Sequence, residues 1–164
     1  MLLAENLFKM KQSDIDHYWY AFLDSQPAHS TYFGKTYVAE AFGDDRKLAD
    51  ELGQLVLSGK KTATCSALWE WEAEKKPIPQ PGWLTIVLNG QDQPICIIET
   101  TEVLACHFDA VDEEFAQAEG EGDLSLEYWR EAHKKFFSRT LPNIDKEFSE
   151  DMPVVCERFK LIHK

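Results

Sequence analysis

The chain has 164 residues, of which 44% are hydrophobic and 12% aromatic, enough to pack a core that buries about two-thirds of the unfolded surface and too many for an acidic disordered tail. Its net charge of −12 argues against non-specific nucleic-acid binding, because that affinity comes mainly from neutralising phosphates. A nucleoside-sized substrate or a local basic patch stays compatible with it, and the surplus acids otherwise read as a solvated surface.

Glu5 sits where a secretory leader would need its apolar core, and no apolar run approaches the roughly 20 residues of a membrane span. A cytoplasmic protein without membrane contact is therefore expected. Four cysteines, Cys65, Cys96, Cys106 and Cys156, show no C-x-x-C spacing and no zinc pattern, so free thiols serving as small hydrophobes are expected.

In chain order, Ser13 is placed to cap a helix whose apolar positions are Ile15, Tyr18, Trp19, Phe22 and Leu23, ending before Pro27. His17 and His29 have no partner pattern. The aromatic stretch 31–42 is ambiguous between loop and short helix. Gly43-Asp44-Asp45 opens a second helix with Leu48, Leu52, Leu55 and Val56 on one face, and Gly59 suits a left-handed cap. Residues 62–68 read as a strand and 69–76 as a short acidic helix, stopped by Pro77, Pro79 and Pro81.

Two apolar strands follow, 83–88 and 94–103, joined through an Asn89-Gly90 turn, and their continuous hydrophobicity implies burial on both faces. Asp109 is read as the cap of a helix over 110–118, broken by Glu119-Gly120-Glu121-Gly122-Asp123. Ser125 caps the next helix, with Leu126, Trp129, His133, Phe136 and Phe137 inward and Pro142 at its end. Residues 152–162 alternate as a closing strand. The fold class is α+β, and residues 1–164 are read as one domain with a helical extension over about 1–41.

The densest chemistry lies in Gly59-Lys60-Lys61-Thr62-Ala63-Thr64, where amines and hydroxyls gather at a helix-to-strand turn. Lysines after a helix end can simply offset the macrodipole. A lysine held near Thr62 or Thr64 with a depressed pKa could also, as a neutral amine, serve as base for a hydroxyl nucleophile. In a straight strand Lys60, Thr62 and Thr64 share one face and Lys61 the other, so a Lys61–Thr64 pair needs a bend near Thr62. The acids of the 119–123 run are either exposed turn residues or carboxylates brought close to a ligand by their glycines. His107 and His133 read as packing residues.

The Gly59–Thr64 run resembles the signature of ASCH-domain proteins. So do Phe42-Gly43-Asp44, Leu68-Trp69-Glu70, the 98–103 strand, the Glu119–Asp123 run followed by Ser125-Leu126-Glu127-Tyr128-Trp129-Arg130, and the 152–159 segment, all in the order found in a longer bacterial ASCH subfamily. The resemblance spans roughly 42–162. It implies a PUA-like fold, a small mixed β-barrel flanked by helices, and a relationship to RNA-binding modules. One shorter branch comprises amidohydrolases that remove the acetyl group from N4-acetylcytidine with a lysine, a threonine and a glutamate. On that pattern the lysine falls on Lys61, the threonine on Thr64, and the glutamate on Glu119 or, with a gap, on Glu121. This chain is longer, with an added amino-terminal helix and the 69–81 insertion.

The reading is a hydrolase without metal or cofactor, acting on an acylated nucleoside. Lys61, Thr64 and Glu119 would be catalytic, and Lys60, Thr62, Glu121, Trp69 and Arg158 would contact substrate. The alternative is an RNA-binding module in which Lys60, Lys61 and Arg158 meet phosphate and Trp69 or Trp71 stacks on bases. Ribonuclease action at the same cleft is disfavoured by the lack of an evident acid/base histidine pair. The sequence does not give the oligomeric state.

Overall fold

The computed structural model describes the backbone of residues 2–164 and the side chains of residues 11–164. The reading of Met1–Leu7 turns on side chains outside the described residues. The elements are α1 (Leu2–Asp24), β1 (Tyr37–Glu40), α2 (Arg46–Leu57), β2 (Ala63–Ala67), α3 (Leu68–Ala73), β3 (Leu84–Leu88), β4 (Pro94–His107), α4 (Glu113–Glu119), α5 (Leu126–Thr140) and β5 (Pro153–His163). Short 3-10 turns cover 108–110 and 141–144. No helix among the described residues is long and apolar enough to cross a membrane.

The five strands form one sheet in the order β1-β3-β4-β5-β2. β1 runs parallel to β3, β3 antiparallel to β4, and β2 antiparallel to β5. β1 and β2 are the outer strands and do not pair with each other, so the expected PUA-like α+β fold is realised with an open sheet.

The chain divides into two compact units, and β4 and β5 contribute residues to both. In the first unit (1–57, 83–99 and 161–164), Ile15, Trp19 and Phe22 of α1 pack on Leu84, Ile86 and Leu88 of β3 and Ile97 of β4. The amino-terminal helix thus supplies part of this core. All five β3 residues are buried, as a continuous apolar strand requires. α2 also packs on β3, where a Cβ on Gly53 would lie 2.7 Å from the Ile95 Cδ1 methyl, which would have to shift to admit it.

In the second unit (58–82 and 100–160), Ala63, Cys65 and Ala67 of β2 and Val154 and Cys156 of β5 face the apolar sides of α4 and α5. Phe108, Phe115, Trp129 and Phe137 fill that core. All four cysteines are free, and Cys65, Cys96 and Cys156 are buried.

Several expectations are corrected. α1 extends well upstream of Ser13, because residues 2–12 are mostly good helix formers; Ser13 lies mid-helix, its carbonyl bonded to His17 Nδ1 at 2.9 Å. Part of the ambiguous 31–42 stretch is an edge strand, β1, whose weak pattern reflects its mostly exposed side chains. β4 continues to His107, beyond the expected end at Val103. The cap of α4 is Asp112, whose Oδ1 accepts from Phe115 N–H at 2.9 Å, because Asp109 is held in the preceding 3-10 turn.

Candidate functional site

The site lies in the second unit and is built from the chain's departure from the sheet. Along β2 the register with β5 pairs Thr64 with Glu157 and Ala63 with Arg158. One residue earlier the ladder splits. Phe159 N–H still donates to Thr62 O at 2.9 Å, but Thr62 N–H donates to Ala118 O at 2.7 Å. Thr62 Oγ1 reaches the same carbonyl at 3.2 Å. At Thr62 the chain therefore forks, leaving β5 for the end of α4.

The end of α4 is shaped to receive it. Gly120 adopts φ 71 as the left-handed cap, and a Cβ there would lie 2.4 Å from Lys60 O. Glycine is required twice over, for the backbone conformation and for the close approach. This contact turns the Lys61 side chain inward beneath the helix end.

Lys61 and Glu119 are each 1% exposed at the side chain. Lys61 Nζ donates to Glu119 Oε2 at 2.5 Å and to Glu121 Oε1 at 2.7 Å. Glu119 Oε1 accepts from Trp129 Nε1–H at 2.9 Å and faces His133 Nε2 at 3.3 Å. His133 Nδ1 lies 2.9 Å from the Trp129 carbonyl one helical turn earlier, and the two rings stack at 4.1 Å.

Burial is the largest influence on both members of the central pair, and in both it is overcome. It pulls the Lys61 ammonium toward neutrality, but Glu119 and then Glu121 outweigh it and hold the amine charged above its ordinary range. It pushes the Glu119 carboxyl upward, but Lys61 and then His133 hold it well below the usual carboxylate range. A buried ammonium thus lies between two carboxylates, one enclosed and one 19% exposed.

The structure thus brings together Lys61, Glu119 and Glu121 of the expected residues, with Thr62 as the fork that positions them. Thr64 lies on β2 between buried Ala63 and Cys65, turned to the opposite face and paired in register with Glu157. Lys60 is exposed and contributes its carbonyl to the Gly120 contact. Trp69 packs at the edge of the core with Lys146 Nζ 5.2 Å over its ring. Arg158 meets Glu114 at 3.1 Å and Glu102 at 3.8 Å, and borders a separate cleft of about 240 Å³ with Cys106, Phe115 and Cys156. Among the described residues, no group of three His, Cys, Asp or Glu side chains is disposed to hold a metal ion.

Sequence reasoning missed Trp129 and His133 as parts of this site. Their four-residue spacing on an apolar helix face signals packing, and only the tertiary position of Glu119 gives their nitrogens a second purpose.

The model of the ASCH domain family matches residues 38–163. An ASCH-domain structure from Lactobacillus crispatus JV V101 is 36% identical, with 95% of this chain and 96% of that chain covered and a TM-score of 0.82. A protein structure from Enterococcus faecalis V583, described by the family model DUF984, is 37% identical over 93% of this chain and 90% of that one, with a TM-score of 0.83. No curated protein matches.

Proposed function

This chain belongs to the ASCH-domain family, and we propose that it is a metal-independent amidohydrolase acting on an acylated nucleoside such as N4-acetylcytidine. The observation that carries the reading is the buried Lys61 ammonium held between an enclosed carboxylate, Glu119, and one that reaches solvent, Glu121. Burying such a group is expensive unless it is paired, and a site with a proton store beside a surface carboxylate suits acid–base transfer.

The roles proposed follow the charge state of the site. Lys61, held as an ammonium, enters as a hydrogen-bond donor to the carbonyl oxygen as that oxygen gains negative charge. It becomes a base only after passing its proton to a carboxylate. Glu119, occupied by its donors, orients Lys61. Glu121 takes the proton of an attacking water and delivers it to the amine as the C–N bond breaks.

In the competing RNA-binding reading Lys60, Lys61 and Arg158 meet phosphate and Trp69 or Trp71 stacks on bases; of these, Lys61 is buried between two carboxylates. Arg158 is engaged by Glu102 and Glu114, and Trp69 lies beneath Lys146. The test is cytidine release from N4-acetylcytidine, followed by chromatography. Glu121→Gln and Lys61→Met are expected to lower the rate by about 100-fold or more, and Thr64→Ala, on the opposite face of β2, is expected to leave it essentially unchanged. No release by the wild type, together with RNA binding that weakens steeply with salt, would overturn the proposal.

A further inference from the structure

We infer that Cys156 and Cys106 form a peroxide-reactive dithiol in the cleft bordered by Arg158, with Cys156 as the attacking sulfur and Cys106 as its resolving partner.

Three of the four cysteines stand in a row across adjacent strands of the second unit. Cys65 on β2 is directly opposite Cys156 in the β2–β5 register. On the other side of β5, Cys106 of β4 brings its Sγ to 3.9 Å from Cys156 Sγ. Core packing is enough to explain a single buried cysteine such as Cys96, which is fully enclosed in the first unit. It does not explain two neighbouring sulfurs that both line a cleft. Cys106 and Cys156 do so, in the opening of about 240 Å³ that Leu104, Val111 and Phe115 also border.

A thiol attacks as its thiolate, so the sulfur best supplied with hydrogen-bond donors reacts first. The Cys65 thiol beside Cys156 holds the Cys156 pKa below the ordinary thiol range; burial opposes this, and Cys106 adds to it. Burial, together with the neighbouring Cys156, pushes Cys106 up to about 12. Burial also holds Cys65 well above the ordinary thiol range. Cys156 is therefore the sulfur that gives up its proton, flanked by two thiols that keep theirs.

The co-reactant is a hydroperoxide. The Cys156 thiolate attacks one oxygen of the O–O bond, and that bond breaks. The leaving oxygen takes up the proton released by Cys156, giving a sulfenic acid and an alcohol, or water where the oxidant is hydrogen peroxide. The Cys106 sulfur then attacks the sulfenic sulfur. An S–S bond forms, the S–O bond breaks, and the hydroxide leaves as water with the Cys106 proton. The two sulfurs lose two electrons and the peroxide oxygens gain them. From 3.9 Å the sulfurs must close by about 2 Å to reach the disulfide bond length. Cys106 is placed to make that move, next to last in β4 between exposed Ala105 and His107. Cys65 does not line the cleft and remains a thiol donor. The product is a link between β4 and β5 that a thiol reductant reopens.

The test uses the full-length protein, reduced, freed of reductant and treated with hydrogen peroxide under native conditions. Thiols are counted after denaturation, and peptides are mapped by mass spectrometry without reduction. Two of the four free thiols should disappear, the map should join Cys106 to Cys156, and dithiothreitol should restore both. In Cys106→Ser the link should be lost and dimedone should label Cys156 as its sulfenic acid. In Cys156→Ser neither the link nor labelling of Cys106 should appear. Four thiols surviving peroxide would overturn the inference, as would a link from Cys156 to Cys65, a link between chains, or sulfenic acid gathering on Cys106 instead of Cys156. Should a variant not fold, the wild-type map decides alone. Neither sulfur enters the proton route of the Lys61–Glu119–Glu121 site, so the outcome is independent of the amidohydrolase reading.

Discussion

Replacing Lys61 with Met keeps the length and apolar volume of the side chain while removing its charge. Glu119, at 1% exposure, then loses the ammonium at 2.5 Å. Breaking one half of a buried ion pair costs about 3–5 kcal/mol, because the remaining charge is left uncompensated. Glu119 keeps Trp129 and His133, and Glu121 can turn to water, so the lower end is expected, about 3 kcal/mol. Urea unfolding at neutral pH measures it. Lys61→Met with Glu119→Gln should recover more than half of the loss, since the second change removes the stranded charge. The pH dependence has a fixed sign. In the wild type the lowered Glu119 carboxyl contributes stability that is complete above the unfolded carboxyl range and is lost as pH falls through the folded value. In Lys61→Met that carboxyl is left buried without its ammonium and takes up a proton more readily, so the gap between the two proteins narrows on acidification. For Lys61 itself, the raised amine contributes stability that is complete below its unfolded range and fades as pH rises through the folded value. A loss below about 1 kcal/mol at neutral pH, the scale of an exposed pair, would refute the reasoning.

Two further substitutions test the parts that hold the site. Gly120→Ala and Gly59→Ala both place a side chain at positive φ, but the first meets Lys60 O at 2.4 Å and the second meets nothing within 4 Å. Gly59→Ala should cost about 1 kcal/mol and Gly120→Ala about 3 kcal/mol, measured by urea unfolding, with equal losses counting against the close approach. Asp112→Ala should cost about 1 kcal/mol as a lost helix cap, while Asp109→Ala should shift stability by less than about 0.5 kcal/mol; thermal melts of the pair show which aspartate caps α4.

The elements legible in the sequence are those whose burial is one-sided or complete. β3 is buried throughout, so its apolar run stood out without alternation. α5 announced itself through Ser125, whose Oγ accepts from Tyr128 N–H at 3.1 Å, and through its buried Trp129, His133 and Phe137. β1 was not legible, because an edge strand of four mostly exposed residues carries no periodic signal and takes its identity from pairing with β3. The α4 cap was displaced by three residues because Asp109 and Asp112 offer the same chemistry. Only the 3-10 turn over 108–110 decides between them.

The site was legible in its ingredients and hidden in its geometry. Gly59, Lys61 and the glycines at 120 and 122 mark two irregular turns, and irregular backbone beside ionisable side chains is a local pattern that a sequence displays. That the turns meet depends on Thr62 donating to Ala118 while accepting from Phe159, a choice between two distant segments that no local propensity records. The same fork explains why Lys61 is buried although a lysine after a helix end ordinarily lies in solvent. The ladder to β5 ends one residue too soon to keep its side chain at the surface, and the end of α4 supplies the carboxylates that make the burial tolerable. Glu119 must then be held against rotation, and the groups that do so, Trp129 and His133, are one helical turn apart on a face that also packs the core. A single helix face serving both purposes leaves in the sequence only the trace of the more common one. Packing was therefore the natural reading of His133, and the carboxylate beside Nε2 is what distinguishes it from its neighbours on that face.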